Sequence, residues 1–201
     1  METDTPDGTT PFNADGLLIP ATSRAMVFLA ESENIVQADA KHFKKRKDPK
    51  IDWFTEAYVR QIHKDMYQHV WQWAGTYRQA DIAMAFAFKK HQIVEGVANL
   101  CRDIGHWDKV SQNLMSIEER AACLHHRLTV IHPFPDGNGR HARFMSDLYL
   151  FSHGRPTPQW PSADIMKSGP ARREYLSALR TADRGDYAPL VNLMRTFSAG
   201  Q

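Results

Sequence analysis

The 201-residue chain has only two cysteines, Cys101 and Cys123, and they do not form a Cys-x-x-Cys pair. That excludes a disulfide-stapled scaffold in a chain of this length. Net charge is also scarce: 25 Lys and Arg against 23 Asp and Glu leave +2. So small an excess gives no broad basic field, and a nucleic-acid partner is not expected. No apolar run approaches the roughly 20 residues that would span a bilayer. The opening Met1-Glu2-Thr3-Asp4 is polar and acidic, unlike a secretory signal. These absences predict a cytoplasmic protein with no membrane partner. Internal repeats and low-complexity tracts are missing as well. What is there is ordinary globular composition, 42% hydrophobic and 24% charged, enough for one packed domain.

Periodicity predicts an all-α fold, a helical bundle with one small β-hairpin. Residues 1–20 carry Pro6, Gly8, Pro11, Gly16 and Pro20 and read as an extended arm. Thr22 or Ser23 is the expected cap of a first helix running to about His42, whose apolar stripe is poor. Six Lys or Arg between Lys41 and Lys50 read as a solvated helix end and linker, dividing an N-terminal unit (1–50) from the main body (51–201). Phe54, Tyr58, Val59, Ile62, Met66 and Val70 mark a second helix with Asp52 as its cap. Ile82, Met84, Phe86 and Phe88 alternate with alanines, the period of a strand or hairpin arm. Ile93, Val97, Leu100, Cys101, Ile104 and Trp107 form the next helical stripe. Ser116 and Glu119 make a capping box for a helix that ends near Ile131, ahead of Pro133. Further helices start near Asn138, at Pro170, and after a cap at Asp186. Trp71, Trp73 and Trp107 are expected in the core.

Between two strong helices lies His132-Pro133-Phe134-Pro135-Asp136-Gly137-Asn138-Gly139-Arg140-His141-Ala142-Arg143. Gly137 and Gly139 allow a ligand to approach the main chain closely. The N–H groups of residues 137–140 open a helix, and such an end is an anion site. Arg140 and Arg143 are three apart, hence on one face, and guanidinium groups grip phosphate in a fork. Asp136 beside a polyphosphate calls for a cation, and Mg²⁺ suits one carboxylate plus phosphate oxygens. His132 can take a proton from a hydroxyl near neutral pH. Together these form a kit for phosphoryl or nucleotidyl transfer. A zinc site is the weaker reading. His125 and His126 are adjacent, so on a helix they point about 100° apart, and His125 falls on the apolar stripe as a core histidine.

The segment resembles the signature of the Fic family, His-x-Phe-x-Asp/Glu-Gly-Asn-Gly-Arg-x-x-Arg, at every specified position. Residues 51–110 also look like the helix, Trp-Ala-Gly-Thr-Tyr-Arg turn and flap hairpin that precede it there. Gly16-Leu17-Leu18-Ile19-Pro20, Asn34-Ile35 and Trp71-Gln72-Trp73-Ala74-Gly75 look like the bacterial subgroup called mobile mystery protein B. The resemblance implies a Fic-type bundle that transfers AMP from Mg-ATP to a hydroxyl of a target protein, with self-modification. His132 would be the general base and Asp136 the Mg²⁺ ligand. Gly137, Asn138, Gly139, Arg140 and Arg143 would bind ATP, and Phe134 would anchor the loop. The target would add as a strand along the flap near Ile82–Phe88. The alternatives are transfer of another group on the same loop, such as UMP, phosphocholine or a phosphoryl group, and a non-catalytic nucleotide-binding regulator. Gly139-Arg140 stands where the kinase-like Doc branch has a lysine-bearing sequence, which argues against phosphoryl transfer.

Control is the last expectation. The family restrains itself with a Ser/Thr-x-x-x-Glu-Gly/Asn helix whose Glu pairs with the second signature arginine. Here Glu33-Asn34 supplies the second half, but Leu29 stands four before it. Glu33 is therefore the first candidate inhibitory acid, expected at Arg143, and Glu31 the second. A separate antitoxin-like partner is the other route to inhibition.

Overall fold

The computed structural model describes residues 14–48, 53–84, 86–109 and 114–198. Eight α-helices lie within them: α1 (Arg24–His42), α2 (Glu56–Tyr67), α3 (Ile93–Lys109), α4 (Ile117–Ile131), α5 (Asn138–Ser152), α6 (Ser162–Ile165), α7 (Pro170–Ala182) and α8 (Ala188–Ser198). The centre is α4. It packs on α3, α5, α7 and α8, and Ala121, Leu124 and Leu128 are completely buried. Met145 and Leu148 of α5 and Val97 and Leu100 of α3 close around them. Burial on this scale is the main stabilising term of a bundle. The α4–α5 pair also fixes the loop between them, because both of its anchor helices are core.

Local signals set most boundaries. Ser23 caps α1 by accepting from the Met26 N–H. Ser116 and Glu119 form the reciprocal capping box of α4. Asp186 Oδ1 accepts from the Ala188 N–H at 3.0 Å and opens α8. Asp52 lies outside the described residues, and the cap of α2 is Thr55, which accepts from Tyr58. The stripe extended to Val70 overshoots: α2 stops at Tyr67, and Val70 is buried from the turn that follows.

The poor apolar stripe of α1 has a concrete cause. Its buried positions are Val27, Glu31, Asn34, Ala38 and His42, which keep helical spacing but include three polar side chains. Each has a partner across the interface with α2 and the turn after it. Asn34 Oδ1 accepts from the His69 N–H at 3.3 Å, and His42 Nε2 meets Asp65 Oδ2 at 2.7 Å. Residues ahead of α1 join the same turn. Leu17 and Trp71 form an isolated antiparallel bridge, with Leu18 N–H on the Val70 carbonyl at 2.9 Å and Gln72 N–H on the Gly16 carbonyl at 2.8 Å.

The expected hairpin is corrected. Among the described residues of the 82–88 segment no strand forms. The Phe88 N–H bonds the Val130 carbonyl of α4 at 3.1 Å, and the Ala87 N–H turns back to Met84. An isolated two-stranded hairpin is marginal, and here α4 and Arg78 take backbone groups that a ladder would need. The alternation instead leaves Phe86 exposed while Ile82, Met84 and Phe88 are half-buried.

Candidate active site

His132 ends α4 in the left-handed conformation, φ 50° and ψ 58°, the one non-glycine residue with positive φ among those described. Such geometry costs of order 1–3 kcal/mol and persists only where neighbours impose it. Arg78 is the main neighbour. Its Nε donates to the His132 carbonyl at 2.8 Å and its backbone N–H to the Pro133 carbonyl at 2.9 Å. It also donates to the Ala80 and Phe88 carbonyls, so one buried guanidinium ties the loop entry to the flap segment. His132 is buried, and its Nδ1 lies 3.2 Å from the Thr129 carbonyl. A carbonyl only accepts, so Nδ1 carries the hydrogen and Nε2 is the basic nitrogen. Burial, with Arg78 nearby, pushes the imidazole down to about 4, so it is neutral at pH 7.

The loop is braced from within. Asn138 Oδ1 accepts from the Phe134 N–H at 2.9 Å, and Asn138 Nδ2 donates to the Phe134 carbonyl at 2.8 Å. Its amide is thus committed to the loop, so its contribution to an anion is through its main chain. Phe134 is fully buried and stacks on His63 at 3.7 Å between ring centres. His63 is a pillar beneath. Its Nδ1 accepts from the Gly75 N–H at 3.0 Å, so its Nε2–H donates to the Asp136 carbonyl at 3.1 Å. Arg78 and His63 are the residues that sequence reasoning missed. The turn around Gly75 and Arg78 was legible, but not that its side chains would hold a loop more than fifty residues on.

Gly137 has φ 77°, and a Cβ there would lie 2.6 Å from the Tyr67 ring. Its own N–H is taken by Asp136 Oδ1 at 2.6 Å, which removes it from the expected anion-binding set. No side chain caps α5. The N–H groups of Asn138, Gly139 and Arg140 therefore have no intrahelical acceptor and form a positive end. Gly139 is different from Gly137. A Cβ there meets nothing closer than Arg143 Nη1 at 3.8 Å, so the space above it is left for something other than protein.

The two arginines are treated differently. Arg140 donates to Glu31 Oε2 at 2.7 Å and lies over the Tyr67 ring at 5.1 Å. Glu31 Oε1 accepts from Trp71 Nε1 at 2.7 Å, so Trp71 is core and also a hydrogen-bond donor. Arg143 is buried and lies against Trp160 and Tyr175. The expected Glu33–Arg143 pair is not formed. Glu33 is exposed, because two residues along a helix rotate it about 200° away from Glu31. His125 is a core histidine bonded to the Tyr175 hydroxyl at 2.8 Å, as its place on the apolar stripe predicted.

His132, Asp136, Gly139, Arg140 and Arg143 all line one cleft of ≈ 520 Å³, which runs from Glu31 and Phe28 of α1 to Leu176 and Leu179 of α7. The volume suits a small ligand with an anionic end and an apolar end. Burial pushes the Asp136 carboxyl up, while Arg140 and the Gly137 N–H pull it down. Among the described residues no group of three His, Cys, Asp or Glu could hold a metal ion by itself. A cation here would need ligand oxygens as well as Asp136.

The two glycines give a paired test. Gly137→Ala should lose more than about 2 kcal/mol, through positive φ and the Tyr67 clash. Gly139→Ala should stay within about 0.5 kcal/mol of wild type, yet weaken triphosphate binding. Thermal denaturation and titration calorimetry check both. Equal destabilisation of the two variants would contradict the geometry.

Residues 53–150 match the Fic/DOC family model. Protein adenylyltransferase fic-1 of Caenorhabditis elegans is 34% identical over 106 residues, covering 52% of this chain and 19% of that protein. A probable protein adenylyltransferase of Aquifex aeolicus is 28% identical over 133 residues, covering 65% of this chain and 38% of that protein. The chain therefore spans well under half the length of these curated relatives. The solved structure of a Fic-1 segment from C. elegans superposes with a TM-score of 0.68 at 25% identity, over 91% of this chain and 52% of that one. With the loop geometry above, these likenesses make residues 53–150 a Fic/DOC family domain.

Proposed function

We propose that this protein transfers AMP from Mg-ATP to a hydroxyl side chain of a target protein. The observation that carries the reading is the single cleft holding a neutral imidazole, a carboxylate, an uncapped helix start and two arginines. Adenylyltransferase relatives supply the transferred group. The acceptor oxygen attacks the α-phosphorus, the bond from that phosphorus to the bridging oxygen breaks, and pyrophosphate leaves. The acceptor proton passes to His132 Nε2. The N–H groups of Asn138, Gly139 and Arg140 hold phosphate oxygens, and the arginines hold the outer phosphates. Asp136, with the phosphates, would bind Mg²⁺, which neutralises charge on the leaving group. An extended target segment would lie along Ile82–Phe88. The Phe86 ring there is 6.5 Å from the His132 ring, and Ala83, Met84 and Phe86 line the same cleft, which supports a target approaching the base from this side.

Four experiments test this reading. His132→Ala should fold and bind ATP but lose transfer about 10²–10⁴-fold, measured by incorporation of labelled AMP. Because the folded imidazole titrates at about 4, the base form persists well below neutrality. The wild-type rate should stay level from pH 7 to about 5.5 and fall as pH approaches 4. A fall centred on 6.5 would sink the base assignment. Asp136→Ala or EDTA should abolish transfer, and Mg²⁺ should restore the EDTA-treated enzyme. Mass spectrometry of the product distinguishes AMP from UMP, phosphocholine or phosphoryl transfer.

Glu31 supports self-restraint. Its carboxylate occupies Arg140, a contact a phosphate would have to displace. Glu31→Gln keeps an acceptor for Trp71 but gives up the ion pair, so it should raise self-modification. Glu33→Gln should leave it unchanged. No gain in either variant, with labelled ATP, would mean that restraint comes from a separate partner or is absent.

A further inference from the structure

Arg143 makes no ion pair among the described residues; aromatic rings hold it instead. Its guanidinium carbon lies 5.9 Å from the Trp160 ring centre and 5.7 Å from that of Tyr175, within range of cation–π attraction. Neither ring belongs to the signature loop. Trp160 lies between α5 and α6, and Tyr175 is on α7. Trp160 is oriented by Asp147 of α5, and Tyr175 by His125 of α4 together with Thr129 and Arg143 itself.

Trp160 Nε1–H donates to both carboxyl oxygens of Asp147, at 3.0 and 2.9 Å. Asp147 stands one turn beyond Arg143 on α5. Tyr175 is set by a longer chain. The Ser146 hydroxyl donates to the Arg143 carbonyl at 2.8 Å, so its oxygen is left to accept. His125 Nδ1, 3.5 Å from that oxygen, therefore carries the ring hydrogen. His125 Nε2 then accepts from the Tyr175 hydroxyl at 2.8 Å. The chain begins at the Arg143 carbonyl and returns, through Tyr175, to the Arg143 guanidinium.

Burial pushes the Asp147 carboxyl up to about 8, against the pull of the Trp160 N–H and Arg143. Both carboxyl oxygens accept from the Trp160 N–H, and among the described residues Asp147 forms no ion pair with Arg143. A guanidinium held by rings and lining the cleft is poised for a dianionic ligand group. This contrasts with Arg140, whose charge is met by Glu31.

We propose that Asp147 and His125 are positioning residues: through Trp160 and Tyr175 they fix Arg143 on the outer phosphates and so set affinity for the triphosphate without touching it. The inference rests on the nucleotide reading above. It separates two ligands that a general loss of structure would not. AMP lacks the outer phosphates, so its affinity should not depend on Arg143 geometry.

Titration calorimetry of the full chain with AMP and with a non-hydrolysable ATP analogue, both with Mg²⁺, tests it. Asp147→Ala and His125→Ala should each weaken the analogue about tenfold and leave AMP within twofold. Asp147→Asn keeps an oxygen acceptor for Trp160 and should bind like wild type. In transfer assays the alanine variants should raise KM for ATP with kcat nearly unchanged. If an alanine variant does not fold, Trp160→Phe, which keeps a ring and removes its N–H anchor on Asp147, gives the same readout. Parallel loss of both ligands, or loss of neither, would overturn the proposal. A wild type that binds AMP and the analogue equally would overturn it too, with the nucleotide site intact. A wild type that binds neither would overturn the nucleotide reading and this inference with it.

Discussion

Asn138 bonds both polar atoms of the Phe134 peptide backbone with its own amide group, and the site depends on that brace. The segment between α4 and α5 has no ladder or helix of its own to hold it. A loose loop there would scatter His132, Asp136 and the start of α5. The brace closes it from inside, His63 supports it from below through the Asp136 carbonyl, and Arg78 pins its entry. All three pay for their burial with satisfied hydrogen bonds, as buried polar groups must. The result is a rigid turn whose remaining N–H groups point into a cleft.

Charge is distributed on that turn with a clear asymmetry. Two arginines one helical turn apart on a buried face repel each other unless each is given something. Arg140 receives a carboxylate, Glu31, which Trp71 holds in place from the other side. Arg143 receives two aromatic faces. A carboxylate cancels a cation, whereas a ring stabilises it and leaves its field largely intact. The first arginine is thus occupied from α1, and the second keeps its charge beside the cleft. Because α1 carries the occupying acid, its polar stripe is part of the site as well as of the fold.

Much of this was legible in the sequence. Helix starts with strong side-chain caps, at Ser23, at Ser116 with Glu119 and near Asp186, appear where the residues place them. A capping bond needs only residues within one turn, so local sequence contains it. The set of loop residues that line the cleft was legible for the same reason: histidine, aspartate, glycines and arginines follow one another within twelve positions. The hairpin at 82–88 was not. Alternation shows which residues could face one side of a strand, but a ladder needs a partner edge, and here α4 and Arg78 took backbone groups of the segment.

The sequence by itself determined the helical bundle, the loop and the loop residues that line the cleft, because periodicity and short-range spacing decide them. Tertiary structure alone decided which acid reaches which arginine. Glu31 and Glu33 are two residues apart and similar in composition and surroundings, yet the rotation of α1 on α2 buries one at Arg140 and exposes the other. It likewise decided that Asn138 would brace the loop and that Asp147 and His125 would stand behind Arg143. Those contacts join residues on different elements or on different turns of the chain, and their geometry exists only once the helices have packed.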